Sequence, residues 1–172
     1  MNVIIRPEKE DDYQTIYKVN SLAFFQDEEA NLVNILRKSD AYIPELSLVA
    51  EYQKEVIGYI MFTKIQIVNH KDQYHSIALA PMSVHPDFQK KEIGSKLIFT
   101  GLEIAQKLGY ESAIVLGHNQ YYPKFGFEPA KKWKILPPFD IPSSNFMALE
   151  LKKNALKKVS GVVLYPKEFN IL

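Results

Sequence analysis

The apolar positions of this chain fall into short β-rich runs and longer stretches of helical spacing, punctuated by proline, glycine and polar turns. Val3 to Arg6 predicts a short strand ended by Pro7. Acidic Glu8, Glu10, Asp11 and Asp12 then lead into a helix carrying Tyr13, Ile16, Tyr17, Asn20 and Phe24 on one side, and acid at a helix start is the favourable polarity. A second helix, about Glu28 to Lys38, has Leu32, Val33 and Leu36 on one face and Arg37 and Lys38 at its C-terminal end. Leu46 to Tyr52 and Val56 to Ile67 are two β-rich runs joined as a hairpin at Gln53-Lys54-Glu55. Another turn, Asn69 to Gln73, leads into a strand that ends at Val84.

Beyond a short polar turn, Ile93, Leu97, Gly101, Ile104, Ala105 and Leu108 recur at helical spacing, and Gly109 supplies the stop. Ser112 to Leu116 predicts a short apolar strand, residues 137–144 a proline-punctuated loop, and Phe146 to Leu151 a returning strand. Ser160-Gly161 belongs to a C-terminal strand. Strands alternating with helices give the α/β class, and the hairpins make the central sheet mixed, flanked by helices. No repeat, low-complexity tail or linker interrupts the pattern, so residues 1–172 read as one domain.

Composition narrows the chemistry. The net charge of +1 gives no bulk attraction to nucleic acid or to an anionic membrane, although Lys90-Lys91 with Lys96 forms a local basic patch. With no cysteine, the chain has no disulfide framework, thiol nucleophile or thiolate metal site, which fits a reducing cytoplasm. Neither a signal peptide nor an 18-residue apolar span is legible, so the expectation is a soluble cytoplasmic protein with no membrane partner. Four histidines lack metal-binding spacing, so no metal is expected. Neither a Gly-x-Ser-x-Gly elbow nor a Walker loop occurs. The lysines at 152, 153, 157 and 158 read as a solvated face and not as a nucleic-acid site.

The most informative stretch runs from Leu79 to Leu108. An apolar strand stops at Pro86, passes through the polar and basic turn Asp87-Phe88-Gln89-Lys90-Lys91-Glu92-Ile93-Gly94-Ser95, and restarts as an amphipathic helix. Such a layout aims backbone N–H groups and the positive end of a helix at one place, which suits a pyrophosphate. Val84-x-Pro86-x-x-Gln89-x-x-Glu92-x-Gly94 resembles the acetyl-CoA-binding motif of the GCN5-related N-acetyltransferases, the GNAT superfamily. Tyr121-Tyr122-Pro123-Lys124-Phe125-Gly126-Phe127 is similar to that family's Tyr-x-x-x-Gly-Phe element, in the doubled-tyrosine form of its YhbS-like branch. The opening Ile5-Arg6-Pro7-Glu8, the run Asp27-Glu28-Glu29-Ala30 and the ending Ser160-Gly161-Val162-Val163 resemble the same branch, so the likeness covers nearly the whole chain.

This resemblance implies a GNAT-like acyl-CoA N-acyltransferase fold and acetyl transfer from acetyl-CoA to an amine by direct attack in a ternary complex. It assigns the strand end Met82, Ser83 and Val84 to the pantetheine arm and thioester. The turn Gln89, Lys90, Lys91, Glu92, Ile93, Gly94 and Ser95 falls to the pyrophosphate. A strand N–H near Val84 would polarise the thioester carbonyl in the manner of an oxyanion hole. Tyr122 occupies the position whose phenol protonates the departing thiolate, although tyrosines at a helix start are also common half-buried aromatics. Asn119 lies near a pantetheine-contacting position, and His118 beside it reads equally as a loop residue. For the general base, Glu28 and Glu29 are candidates, but acid in a first turn also caps helices, and an ordered water serves as well.

One departure stands out: Glu92 occupies a position where the family usually has glycine, adding negative charge near the proposed diphosphate. Lowered cofactor affinity is the expectation, and Glu92 with the unassigned base leaves open a CoA-binding sensor or interaction module on the same fold. The acceptor is a small-molecule or peptide amine of unread identity, because variable loops shape that site. Relatives often dimerise, so a homodimer is among the assemblies the resemblance allows.

Overall fold

The computed structural model describes residues 1–171; Leu172, the end of the expected domain, lies outside the described residues. Two compact units are formed, one from residues 1–63, 80–104 and 167 onward, the other from residues 64–79 and 105–166.

In the first unit, β1 (Ile4–Pro7) pairs antiparallel with β2 (Tyr42–Tyr52), and β2 pairs antiparallel with β3 (Glu55–Val68). The β2–β3 hairpin closes through Gln53 and Lys54, both at positive φ (51° and 67°), the backbone that a two-residue turn between twisted strands requires. β4 (Gln73–Val84) lies beside β3, and its end is fastened there by His85 N–H donating to Ile57 O at 2.8 Å. Helices α1 (Tyr13–Phe24) and α2 (Glu28–Leu36) bury Ile16, Leu32, Val33 and Leu36 against Val49, Val56, Tyr59 and Met61. The acidic run before α1 does not cap it. It forms a 3₁₀ turn, Glu10–Asp12, in which Asp12 instead takes two hydrogen bonds from Arg6 at 2.8 and 3.0 Å.

Helix α3 (Ile93–Lys107) packs on β3 through two glycines. A Cβ on Gly101 would stand 2.4 Å from the Phe62 ring, and one on Gly58 would stand 3.2 Å from both Ile93 and Leu97. These close approaches fix where the N-terminus of α3 comes to rest, next to the end of β4.

In the second unit, β5 (Ser112–Leu116) pairs parallel with β4 from Ile77↔Ala113 to Leu79↔Val115, after which β4 continues through Val84. β8 (Phe146–Glu150) pairs antiparallel with β5 and with the two-residue β6 (Glu128–Pro129). β9 (Gly161–Leu164) pairs antiparallel with β3 and parallel with β7 (Ile135–Leu136). The core here joins Ile65, Ile67, Ile114, Phe146, Leu156 and Val163. Gly109, at φ +94°, ends α3, with its own N–H on Gln106 O and that of Tyr110 on Ala105 O, both at 3.1 Å. Parallel and antiparallel ladders thus coexist in a mixed sheet flanked by helices, the class expected from the pattern.

Candidate functional site

Every residue assigned to the cofactor between Met82 and Ser95 lies in the first unit, on one continuous path from β4 through a 3₁₀ turn (Pro86–Phe88) into α3. Met82 and Val84 are half-buried, and Ser83 is 3% exposed. The Ser83 hydroxyl turns inward and donates to Asn20 Oδ1 at 2.8 Å, while Asn20 Nδ2 donates to Ile16 O at 3.1 Å. With its side chain engaged in the core, Ser83 has only main-chain groups to offer a ligand. Gln89 folds back, its Nε2 donating to Val84 O at 3.0 Å, and so ties the turn to the end of the strand.

The turn itself is backbone-shaped. Lys90 and Glu92 both take left-handed conformations, at φ 63° and 62°. Glu92 O accepts the first helical bond of α3 from Lys96 N at 3.1 Å, so the N–H groups of Ile93, Gly94 and Ser95 precede the helical ladder and are the ones a helix start presents outward. Ile93 and Ser95 bury their side chains and Gly94 is half-buried, while Lys90, Lys91 and Glu92 are exposed. Lys91 Nζ lies 5.5 Å from the Phe88 ring centroid, and Phe88 stacks edge-on with Tyr52 and His85 at 6.0 and 5.8 Å. Three main-chain donors at a helix start, with exposed lysines alongside, suit a diphosphate.

Tyr122 and Asn119 belong to the second unit. Tyr122 opens a 3₁₀ turn (Tyr122–Phe125) and is 9% exposed, its ring edge-on to Tyr121 at 5.1 Å and to Phe127 at 5.8 Å. Burial, with the neighbouring Tyr121 second, pushes its phenol up to about 12, so the hydroxyl keeps its proton at any physiological pH. Among the described residues this hydroxyl has no hydrogen-bond partner. Asn119 Nδ2 donates to Ser144 Oγ at 3.2 Å, which ties the residue to the proline-rich loop. Back in the first unit, Glu28 and Glu29 form the first turn of α2. Glu28 is exposed, and the Glu29 carboxylate accepts from Gln26 Nε2 at 3.0 and 3.1 Å. The described residues contain no group of three or more His, Cys, Asp or Glu able to hold a metal ion, and no helix long and apolar enough to cross a membrane.

Two residues that the pattern left without a role matter here. Asn20 was legible as a polar residue on the apolar face of a helix, but its partner Ser83 is remote in sequence. Gly117 follows the last residue of β5, and a Cβ there would fall 2.3 Å from Tyr122 Cε2.

Residues 11–127 match the acetyltransferase (GNAT) family model. The chain is 37% identical to the uncharacterized N-acetyltransferase YjhQ of Escherichia coli (strain K12) over 135 residues, which cover 78% of this chain and 75% of that one. It is 30% identical to the uncharacterized N-acetyltransferase YhbS of the same strain over 169 residues, covering 98% and 99% of the two chains. The crystal structure of Escherichia coli YhbS in complex with CoA superposes with a TM-score of 0.92 at 28% identity, covering 99% of this chain and 93% of that one. A GNAT-family acetyltransferase of Brucella melitensis in complex with acetyl-CoA gives 0.79 at 29% identity, covering 98% of both.

Proposed function

Because the chain belongs to the acetyltransferase (GNAT) family, we propose that it moves the acetyl group of acetyl-CoA onto an amine by direct attack in a ternary complex. The observation that carries the proposal is the path from the end of β4 through the left-handed turn at Lys90 and Glu92 to the first N–H groups of α3. Those donors hold the diphosphate, and the main chain of Met82 to Val84, past the β4–β5 ladder, holds the pantetheine arm and polarises the thioester.

In the reaction the amine lone pair attacks the carbonyl carbon, and the carbonyl electrons move onto oxygen. As the oxyanion collapses the C–S bond breaks, the sulfur leaves with its electron pair as a thiolate, and the amine nitrogen loses a proton. The thiolate takes a proton from water or, where Tyr122 acts as a full acid, from that phenol, which water then reprotonates. Tyr122 acts at the sulfur. Full proton transfer from a phenol at about 12 to a thiolate of ordinary basicity, near 8.5, is uphill by about 5 kcal/mol. The hydroxyl therefore works chiefly as a hydrogen-bond donor to the charge developing on sulfur. It becomes a full acid only where the sulfur is as desolvated as the phenol itself. The proton of the amine goes to Glu28, Glu29 or a water.

The same reading takes residues 1–172 as one catalytic domain, places it in the cytoplasm on the strength of its cysteine-free composition, and leaves nucleic acid out of its partners. A homodimer is compatible with it. Glu92 and the unassigned general base favour the second reading, a CoA-binding module without turnover.

Thermal unfolding with acetyl-CoA, against AMP as nucleotide control, tests the grip: ligand at about a hundred times its dissociation constant stabilises by roughly 2.7 kcal/mol. Release of CoA thiol across a panel of amines then tests turnover. Binding without release for any amine would favour the sensor, and no binding at millimolar ligand would sink both readings. Tyr122→Phe is expected to slow transfer while acetyl-CoA affinity stays within about twofold; a full-rate variant removes Tyr122 from the mechanism.

A further inference from the structure

The strand end that precedes the tyrosine turn is tied down by main-chain hydrogen bonds. Gly117 N–H donates to Asn145 O at 2.9 Å, which anchors the chain just after β5, and Tyr122 N–H returns to His118 O at 3.3 Å. Between these anchors the Cδ2–Cε2 edge of the Tyr122 ring comes up against Gly117. A Cβ on Gly117 would stand 2.3 Å from Cε2, 2.9 Å from Cδ2 and 3.3 Å from Cζ of that ring. Carbon atoms in contact sit about 3.5–4.0 Å apart, so a methyl group there forces a displacement of an ångström or more. The ring also packs against Tyr121 at 5.1 Å, Phe127 at 5.8 Å and Phe125 at 6.3 Å between centroids.

We propose that Gly117 is a positioning residue for acetyl transfer: its missing side chain creates the slot that fixes the Tyr122 ring, and hence the direction in which the phenolic hydroxyl points. The proposal rests on the reading of Tyr122 as the group that assists the departing thiolate. Gly117 itself touches neither reactant. Its contribution is geometric, and a misplacement of about 1 Å at a reacting group costs on the order of a hundredfold in rate. A glycine retained only for tight packing would behave differently, because its replacement would lower stability without a specific effect on the chemical step.

A four-protein comparison separates the two: the native chain, Gly117→Ala, Tyr122→Phe and the double variant, each assayed for CoA thiol release from acetyl-CoA with the fastest amine of the panel. Phenylalanine keeps Cε2 and Cδ2, so the added methyl strains both backgrounds alike and lowers Tm by a similar amount in each. The hydroxyl is present only in the tyrosine background. Gly117→Ala is therefore expected to lower kcat ten- to a hundredfold there, with the KM for acetyl-CoA within about threefold, and to change kcat less than twofold when residue 122 is phenylalanine. With ζ-¹³C-tyrosine labelling, the Tyr122 resonance, assigned by its loss in Tyr122→Phe, is expected to move in Gly117→Ala. Unchanged kcat, an equal loss in both backgrounds, or an unmoved resonance overturns the role of Gly117 while a slow Tyr122→Phe keeps that of Tyr122. A full-rate Tyr122→Phe, or a native chain without turnover, overturns the underlying reading and the proposal with it. Should Gly117→Ala fail to fold, Phe127→Leu opens room beside the ring and the same comparison is made in that background.

Discussion

Glu92 sits at φ 62°, in the left-handed region, at the residue whose carbonyl starts α3 and where the resemblance calls for glycine. For an L-residue that backbone costs about 1–2 kcal/mol, a penalty glycine escapes. Glu92→Gly relieves the strain, but it also loosens the unfolded chain, which returns about 0.4–1 kcal/mol to the unfolded side. These backbone contributions net to a gain of about 0.5–1 kcal/mol, equivalent to about 1–4 °C in Tm for a chain of this length. Charge adds a separate effect on binding. A carboxylate taken, for scale, about 8 Å from each of two phosphate charges in water would oppose them by about 1 kcal/mol in total, so its removal is expected to tighten acetyl-CoA binding by about fivefold at low salt and less at physiological ionic strength.

Two assays and one control variant separate strain from charge. Glu92→Ala removes the carboxylate but keeps a Cβ in the left-handed conformation, so it is expected to bind acetyl-CoA about as tightly as Glu92→Gly without the rise in Tm. Titration calorimetry at two salt concentrations reads the first effect, and thermal unfolding without ligand reads the second. A Glu92→Gly protein that melts lower than the native chain and binds acetyl-CoA no more tightly would refute both halves of the reasoning.

Asn20→Ala leaves the buried Ser83 hydroxyl without its acceptor, a cost of about 1–3 kcal/mol, and is expected to weaken acetyl-CoA binding as well as lower Tm, because Ser83 belongs to the strand end assigned to pantetheine. Ser83→Ala with Asn20→Leu, which removes both polar partners, is expected to recover most of that Tm loss in thermal unfolding. At alkaline pH, Tyr122 pushed up to about 12, with Tyr42, Tyr59 and Tyr165 also raised chiefly by burial, contributes stability that is fully present below pH 10 and is lost as pH rises through the folded values. Tm is thus expected to begin its tyrosine-linked fall above about pH 10, with a shallower fall in Tyr122→Phe; a fall of equal steepness in that variant would contradict the burial account.

The elements legible in the sequence are those whose reasons are local. The helical spacing from Ile93, with Gly109 after it, outlines α3, and Ser112 to Leu116 is β5 as predicted. β2 begins at Tyr42, earlier than its apolar run, because Pro44 and Glu45 interrupt the pattern at an irregularity in the β2–β3 register. β6 and β7 are two residues long and exist only because β8 and β9, far along the chain, offer them ladders. The same division runs through the site. The left-handed turn at Glu92 was foreshadowed by a position that favours glycine, whereas the Ser83–Asn20 bond and the contact of Gly117 with the Tyr122 ring depend on backbone paths that no spacing rule encodes.

In the proposed mechanism grip and chemistry draw on different parts of the chain, so grip is expected to tolerate sequence change that the chemical step does not. The candidate diphosphate site is made of main-chain N–H groups at the start of α3, held there by the close seats of Gly58 and Gly101 on the sheet. Side chains around it, Lys90, Lys91 and Glu92, are exposed, and their screened charges are expected to alter affinity only a few-fold each. A glutamate in the place of glycine is therefore compatible with a working site, since it strains the turn without removing a donor. The proposed chemical step, in contrast, would depend on one phenol, Tyr122, whose ring lies within 2.3 Å of where a Cβ on Gly117 would stand. Variation among such chains should accordingly be wide along the turn and narrow at Gly117 and Tyr122.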